Sequence, residues 1–168
     1  MKLVLKKFEG PVVIDAGAIN FIAENKEILK TKKCPLVFTP HPGEFARLTG
    51  LSIDEINSNR IFLASKYANE LSSIILLKGA ATVISSVNGE IRINSSGNSG
   101  MATAGSGDVL SGIIAALLAQ GMNLFDSASI GAYIHGLSGD IAKEKLTEFG
   151  MIASDIIDNI PYAFKKIV

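Results

Sequence analysis

Three short apolar runs in the first half of the chain predict buried β-strands. They cover residues 11–15, 36–39 and 74–77. None of them alternates between polar and apolar residues as a half-exposed strand does, and continuous apolar runs are typical of parallel strands covered on both faces. Pro40 and Pro42 end the second run, because proline cannot donate a hydrogen bond to a neighbouring strand.

Helical spacing accounts for much of the remaining chain. The predicted helices cover residues 19–30, 43–48, 52–71, 108–120 and 126–145, with a last segment from about residue 154. A capping box of Ser52 and Glu55 opens the third of them, and Pro161 breaks or kinks the last.

A β-hairpin follows the third predicted strand. Residues 82–86 and 90–94 flank Asn88 and Gly89, a dipeptide that strongly favours a two-residue hairpin turn. Strands that alternate with helices, then a hairpin and further helices, are typical of a layered α/β domain. With no repeat or linker in the sequence, we expect a single domain over residues 1–168.

The composition excludes two classes of protein. The 168 residues are 48% apolar and 19% charged, which suits one folded domain and excludes a disordered chain. Sixteen Lys and Arg balance sixteen Asp and Glu, and this zero net charge argues against nucleic acid as the partner. A small-molecule substrate is therefore the expectation.

Three observations predict a cytoplasmic protein without a membrane partner. Cys34 is the single cysteine and cannot form an intramolecular disulfide. Residues 1–7 contain too short an apolar run for a signal peptide. The longest uncharged stretch, residues 109–123, is also too short to span a membrane.

A glycine-rich segment, residues 95–107, leads into the helix predicted from Asp108. Small residues ahead of a helix leave its first amides free, and these amides and the helix dipole together favour an anion. The segment lacks the lysine of a Walker loop and the third glycine of a dinucleotide fingerprint. Asp108 either complements the helix dipole or acts as a base that accepts a proton from a substrate hydroxyl.

Polar residues also follow each of the three predicted strands. Asp15 ends the first, His41 lies in a Pro-His-Pro turn after the second, and Lys78 follows the third. His41 is either a solvated turn residue or a substrate ligand, and Lys78 either marks an exposed strand end or binds a phosphate. Because ligands bind beyond the carboxyl ends of strands in open α/β sheets, we expect one shared site.

Two other residues receive ordinary structural interpretations. Glu44 is read as an acid in the first turn of a helix, and His135 as a histidine packed between close helices. Two histidines so far apart, without cysteines, do not suggest zinc, and no metal ligand set is predicted.

Four segments together resemble one known family. They are residues 12–20, 38–44, 77–82 and 98–112. With residues 133–140, they are similar to the NAD(P)H-hydrate dehydratase family, the carbohydrate-kinase-like domain of YjeF proteins in the ribokinase-like superfamily. The resemblance implies an α/β fold, a ribokinase-like αβα sandwich with a mostly parallel central sheet and a hairpin, lacking the family's N-terminal part.

The resemblance implies a dehydration that restores NADH or NADPH from the hydrated cofactor. ADP or ATP would phosphorylate the ring hydroxyl with Mg²⁺ bridging the phosphates, and loss of phosphate would regenerate the nicotinamide. Asp108 would be the base and would contact the hydrate together with His41. The implied nucleotide-binding residues are Lys78, Gly79, Ala80, Ala81, Thr82 and Gly107, and the implied anion hole comprises Gly105, Ser106 and Gly107.

The chain departs from the family pattern in two ways. Gly17 stands where the family usually has an aspartate, so no carboxylate is available there. The missing N-terminal part leads us to expect a homo-oligomer or a partner chain that completes the sheet. Two alternative functions follow: a ribokinase-like kinase for a vitamin or sugar alcohol, or a non-catalytic nucleotide-binding half of a split or degenerate enzyme.

Overall fold

A computed structural model describes residues 1–167, in which five strands form one sheet. The strands are β1 (Val12–Ile14), β2 (Leu36–Phe38), β3 (Ile74–Leu77), β4 (Thr82–Ser85) and β5 (Ile91–Asn94). They lie side by side in chain order; β1, β2 and β3 are parallel, whereas β4 is antiparallel to both β3 and β5. All strands except β4 therefore run in one direction, which confirms the predicted mostly parallel sheet with a hairpin.

Helices cover both faces of the sheet. They are α1 (Lys2–Lys7), α2 (Ala16–Glu24), α3 (Pro42–Thr49), α4 (Ile53–Ser58), α5 (Arg60–Glu70), α6 (Ser106–Ala119), α7 (Leu124–Gly150) and α8 (Ala153–Lys165), with short 3-10 helices at Lys26–Thr31 and Ser99–Met101. Within residues 1–167, no helix combines the length and the apolar character needed to cross a bilayer.

The apolar runs are continuous because both faces of the central strands are buried. In β3, Ile75 and Leu77 pack into the core beneath α2 to α5, whereas Ile74 and Leu76 pack into the core beneath α6 and α7. All four side chains are at most 6% exposed. This alternation between two cores produces the three-layer αβα arrangement.

Several helix boundaries differ from those predicted. The helix expected over residues 52–71 is two helices, α4 and α5, because Asn59 has a φ of −135°, outside the helical range. The helix expected over residues 19–30 begins earlier, where Asp15 caps α2, and its second half is a 3-10 helix. The sequence pattern did not predict α1, which is six residues long and buries only Leu5.

The topology brings the polar strand ends together. Since β1, β2 and β3 are parallel neighbours, the residues after them lie at one edge of the sheet. The packing of α6 on β1 brings the first turns of that helix to the same edge. The residues singled out in the sequence therefore lie in one region.

Candidate active site

An ion pair between Asp15 and Lys78 forms the centre of the candidate site. Asp15 follows β1 and caps α2, with its Oδ1 accepting a hydrogen bond from the Ala16 amide at 2.9 Å. Lys78 follows β3, and its Nζ lies 2.9 Å from Asp15 Oδ1. Ser111 of α6 donates from its Oγ to Asp15 Oδ2 at 2.8 Å. Two strands and a helix thus meet at one carboxylate.

These contacts keep Asp15 ionised at neutral pH. Burial alone raises the pKa of Asp15, but hydrogen bonds from Lys78 and Ser111 and the charge of the ammonium outweigh burial, so the pKa lies below its ordinary value. The Lys78 side chain is 21% exposed, so the lysine paired with Asp15 is partly open to solvent.

The turn between β2 and α3 places a second carboxylate beside Lys78. His41 and Glu44 form a capping box: His41 Nδ1 accepts from the Gly43 amide at 3.0 Å, and Glu44 Oε2 accepts from the His41 amide at 2.9 Å. Glu44 is 6% exposed, and its Oε2 lies 3.8 Å from Lys78 Nζ. Glu44, interpreted from the sequence as a first-turn acid, caps α3 and also belongs to the charged cluster.

His41 lies at the rim of this cluster. Its side chain is 51% exposed, and its Nε2 lies 3.6 Å from Glu44 Oε1. Because Nδ1 accepts backbone hydrogen bonds, the proton of the neutral imidazole resides on Nε2, which is therefore the donor available to a ligand. His41 is a helix cap whose Nε2, although it lies near Glu44 Oε1, can still hydrogen-bond a substrate.

The segment after β3 forms a constrained turn. The Lys78 amide donates to the Pro40 carbonyl at 2.8 Å, which ties this turn to the histidine turn. Gly79 has a φ of 146° and Ala81 a φ of 56°, both in the region that favours glycine, and the Thr82 hydroxyl donates to the Gly79 carbonyl at 3.0 Å. Positive φ at a non-glycine residue is strained and is common near functional sites.

Arg60, the first residue of α5, holds this turn from the other side. Its Nη2 donates to the carbonyl oxygens of Leu77 at 2.8 Å and Lys78 at 3.2 Å. A Cβ atom at Gly79 would lie 3.1 Å from the guanidinium nitrogens, so a larger residue would crowd the arginine. Sequence reasoning missed Arg60, because its partners are backbone carbonyls and no motif marks them.

The glycine-rich segment ends against the ion pair. Gly105 precedes α6 with a φ of 87°, and within residues 1–167 no side chain caps this helix. The Ser106 amide donates to the Thr103 carbonyl at 3.3 Å, whereas the amides of Gly107 and Asp108 have no partner among these residues and are available to an anion. A Cβ atom at Gly107 would lie 3.4 Å from Lys78 Nζ and 3.7 Å from Asp15 Oδ2. The Asp108 side chain, one residue further on, is exposed. A phosphate at this helix start would therefore also lie near Lys78.

The structure brings the residues at the predicted strand ends together with the start of α6. It adds Glu44 and Ser111, which the sequence did not assign to the site. Ser111 is 96 residues from Asp15 along the chain, and only the packing of α6 on β1 brings them into contact. The single sequence signal for Ser111 is its position one helical turn after Gly107, on the same face of α6.

This arrangement defines the class of protein. A solved structure described as a ribokinase-like superfamily protein from Enterococcus faecalis matches with a TM-score of 0.82 and 33% identity, over 98% of this chain and 56% of that chain. The likeness confirms the predicted ribokinase-like αβα fold.

A family model described as NAD(P)H-hydrate dehydratase matches residues 1–162, and the chain belongs to this family. A relative from Moorella thermoacetica, named bifunctional NAD(P)H-hydrate repair enzyme Nnr, is 46% identical over 99% of this chain. The crystal structure of an ADP/ATP-dependent NAD(P)H-hydrate dehydratase from Bacillus subtilis, co-crystallised with ATP and Mg²⁺, matches with a TM-score of 0.87 and 29% identity over 98% of this chain.

The chain corresponds to only part of each of these proteins. It spans 32% of the Moorella thermoacetica relative and 57% of the Bacillus subtilis chain.

Proposed function

We propose that this chain takes part in the nucleotide-dependent dehydration of hydrated NADH or NADPH. The observation that carries the proposal is the convergence of Asp15, Glu44 and Lys78 on the uncapped start of α6. A cation beside free helix amides suits a transferring phosphoryl group. Membership of the dehydratase family supplies the substrate class.

The nucleotide is proposed to bind along the turn after β3 and the start of α6. Lys78, Gly79, Ala80, Ala81, Thr82 and Gly107 would contact it, and the amides of Gly105, Ser106 and Gly107 would form the anion hole. The proximity of Gly107 to Lys78 supports a single phosphate position between these two segments. The name of the Bacillus subtilis relative, which specifies ADP or ATP, supports an adenine nucleotide as phosphoryl donor.

Asp108 and His41 are proposed to act on the hydrate. Asp108 would take the proton of the ring hydroxyl. The hydroxyl oxygen would at the same time form a bond to the terminal phosphorus of the nucleotide, and the nucleotide would leave with one phosphate fewer. Cleavage of the C–O bond would then release phosphate, and loss of a neighbouring C–H proton would restore the ring double bond. His41 would donate from Nε2 to the hydrate and orient it.

Mg²⁺ fits the charges of the site. No cluster of three or more metal-ligating side chains occurs within residues 1–167, but Mg²⁺ characteristically uses one or two carboxylates together with substrate phosphates. Asp15 and Glu44 are the carboxylates that would hold it. When bound, the ion would neutralise charge on the phosphates.

The test is turnover of hydrated NADH by the purified chain with ADP or ATP and Mg²⁺. Turnover is measured as the return of the nicotinamide absorbance. Nucleotide binding is measured in parallel by calorimetry. Turnover that requires the nucleotide supports the proposal. Phosphorylation of hydroxymethylpyrimidine without turnover of the hydrate would instead support a small-molecule kinase.

A second candidate is a nucleotide-binding part that needs a further chain for catalysis. The partial coverage of the relatives favours it, since the sheet would then be completed by a partner chain or by self-association. ADP binding without turnover, together with turnover once such a chain is added, would distinguish it from the first candidate.

We also propose a cytoplasmic location and a single cooperative domain, which cell fractionation and two-state unfolding respectively test.

A further inference from the structure

The middle of α7 supports the glycine-rich segment at its start, at Met101 and at Ser106. Asp140 binds the start of the segment: its Oδ2 accepts from the Gly97 amide and its Oδ1 from Asn98 Nδ2, both at 2.9 Å. Both carboxylate oxygens are thereby used to fix two successive residues. The first turn of the segment is thus tied to a rigid helix.

Glycines on α7 allow the segment to lie directly on the helix. A Cβ atom at Gly136 would lie 2.2 Å from Ser96 Oγ, and one at Gly139 would lie 2.2 Å from Met101 Sδ. A side chain at Gly136 would also meet the Ser96 backbone at 2.7 Å and displace the segment, whereas one at Gly139 would displace the Met101 side chain. The close approach sets the height of the segment above α7.

His135 contacts the other end of the segment, inside the proposed anion hole. Its Nε2 lies 2.9 Å from the carbonyl oxygen of Ser106 and 3.2 Å from Ser106 Oγ. Ser106 is 6% exposed, so the hydrogen bond lies in a place that water scarcely reaches. Since a carbonyl only accepts, the ring donates from a protonated Nε2.

The imidazole is neutral when it makes this contact. Burial lowers the pKa of His135 to about 4, with the nearby charge of Lys78 contributing in the same direction. The histidine therefore brings no net charge to the anion hole at neutral pH. It supplies one directed hydrogen bond to the residue that separates Gly105 from Gly107.

We propose that His135 is a positioning residue that holds Ser106, and with it the amides of Gly105 to Gly107, in the conformation that receives the nucleotide phosphate. The proposal rests on the proposed function for the identity of the ligand. It does not depend on that function for the conformational role, because the hydrogen bond joins two residues of the chain itself. An apolar residue of similar size would preserve packing but not orientation.

The experiment compares His135→Leu with His135→Gln, whose amide nitrogen can replace Nε2 as a donor. Ser138→Ala, on the same helix, is the control, because among residues 1–167 the Ser138 hydroxyl bonds only to the Ile134 carbonyl of α7 itself. ADP affinity is measured by calorimetry. Amide hydrogen exchange of Ser106 and Val109 is measured by NMR in the chain without nucleotide.

We expect His135→Leu to weaken ADP binding by about fivefold and to speed exchange at both amides by a similar factor, because one directed hydrogen bond is worth about 1 kcal/mol. His135→Gln is expected to restore both quantities to within about twofold of the parent, and Ser138→Ala to leave them unchanged. Recovery by glutamine is the outcome that a purely space-filling role does not produce.

Parent-like ADP affinity and exchange in His135→Leu would overturn the proposal, as would a His135→Gln chain as impaired as His135→Leu. If the parent chain itself fails to bind ADP, the proposed function is wrong, and the exchange rates alone decide the role of His135.

Discussion

Asp108 is the residue whose replacement separates chemistry from binding. Its side chain is exposed and does not cap α6, so Asp108→Asn is expected to leave the fold and ADP affinity intact. Turnover of hydrated NADH should fall by about 100-fold or more, since general-base catalysis contributes about that much. The measurement is steady-state turnover with ADP calorimetry on the same preparation.

Asp54→Asn is the matched control for Asp108→Asn. Asp54 is also an exposed acid in the first turn of a helix, but it lies on α4, away from the ion pair. The Asp54→Asn chain should turn over hydrated NADH at the parental rate. Equal activity in Asp108→Asn and the parent would contradict the role assigned to Asp108.

Gly107 tests whether the phosphate lies beside Lys78. A methyl group at this position would fill the space 3.4 Å from Lys78 Nζ, so Gly107→Ala is expected to weaken ADP binding by about tenfold while the chain remains folded. Gly112→Ala, on the same helix, meets no atom of the described residues 1–167 within 4 Å. It should bind ADP normally and gain up to about 1 kcal/mol in unfolding free energy. Equal ADP affinities in the two variants would place the phosphate elsewhere.

The buried imidazole of His135 predicts a pH dependence of stability. Burial lowers its pKa from 6.5 to about 4 in the folded chain, so between these values only the unfolded chain binds the proton. The contribution of His135 to the free energy of unfolding is fully present above pH 6.5. It falls by about 3 kcal/mol as the pH decreases towards 4. Urea titrations of the parent and His135→Gln at several pH values measure this contribution as the difference between them. Parallel pH profiles would contradict it.

Among the secondary-structure elements, α7 carries the tightest packing against the candidate site. Gly136→Ala would place a Cβ atom 2.2 Å from Ser96 Oγ and 2.7 Å from its backbone, and it is expected to cost about 1–3 kcal/mol of unfolding free energy. Gly150→Ala lies beyond a break in α7 at Thr147, where φ is 65°, and meets no atom of residues 1–167 within 4 Å, so it is the control. Chemical denaturation measures both, and a Gly136→Ala chain as stable as the control would show that the segment moves freely.

Elements with strong local signals were predicted from the sequence. The strand over residues 74–77 has the expected bounds, and the Asn88-Gly89 hairpin joins β4 to β5. Local patterns did not predict the break at Asn59, because the capping box of Ser52 marks only where a helix begins.

The charged cluster was predicted only in part. Asp15, Lys78 and His41 stand next to strand ends, and the sheet rule placed them together. Glu44 satisfied a simpler interpretation as a first-turn acid, and its second contact, 3.8 Å to Lys78, depends on the register between β2 and β3. Ser111 and Arg60 depend on packing between distant segments, which spacing along the chain does not encode.

For the molecule as a whole, nucleotide binding should stabilise the fold. A ligand that binds only the folded chain adds about 2.7 kcal/mol at 100 times its dissociation constant. We expect ADP to raise the unfolding midpoint of the parent, with a smaller increase in Gly107→Ala at the same concentration. Thermal denaturation with and without ADP measures the effect, and an unchanged parental midpoint would contradict nucleotide binding.

The carboxylate of Asp15 is joined to partners 63 and 96 residues away along the chain. Contacts this distant form late in folding, because the entropy of closing long loops must be overcome first. A partly folded chain with β1 to β3 in place but α6 undocked would lack the Ser111 contact and the helix start. Nucleotide binding would then detect the last step of folding, in which α6 docks on the sheet. ADP would slow unfolding, and it would also slow cleavage by proteases that require α6 to detach.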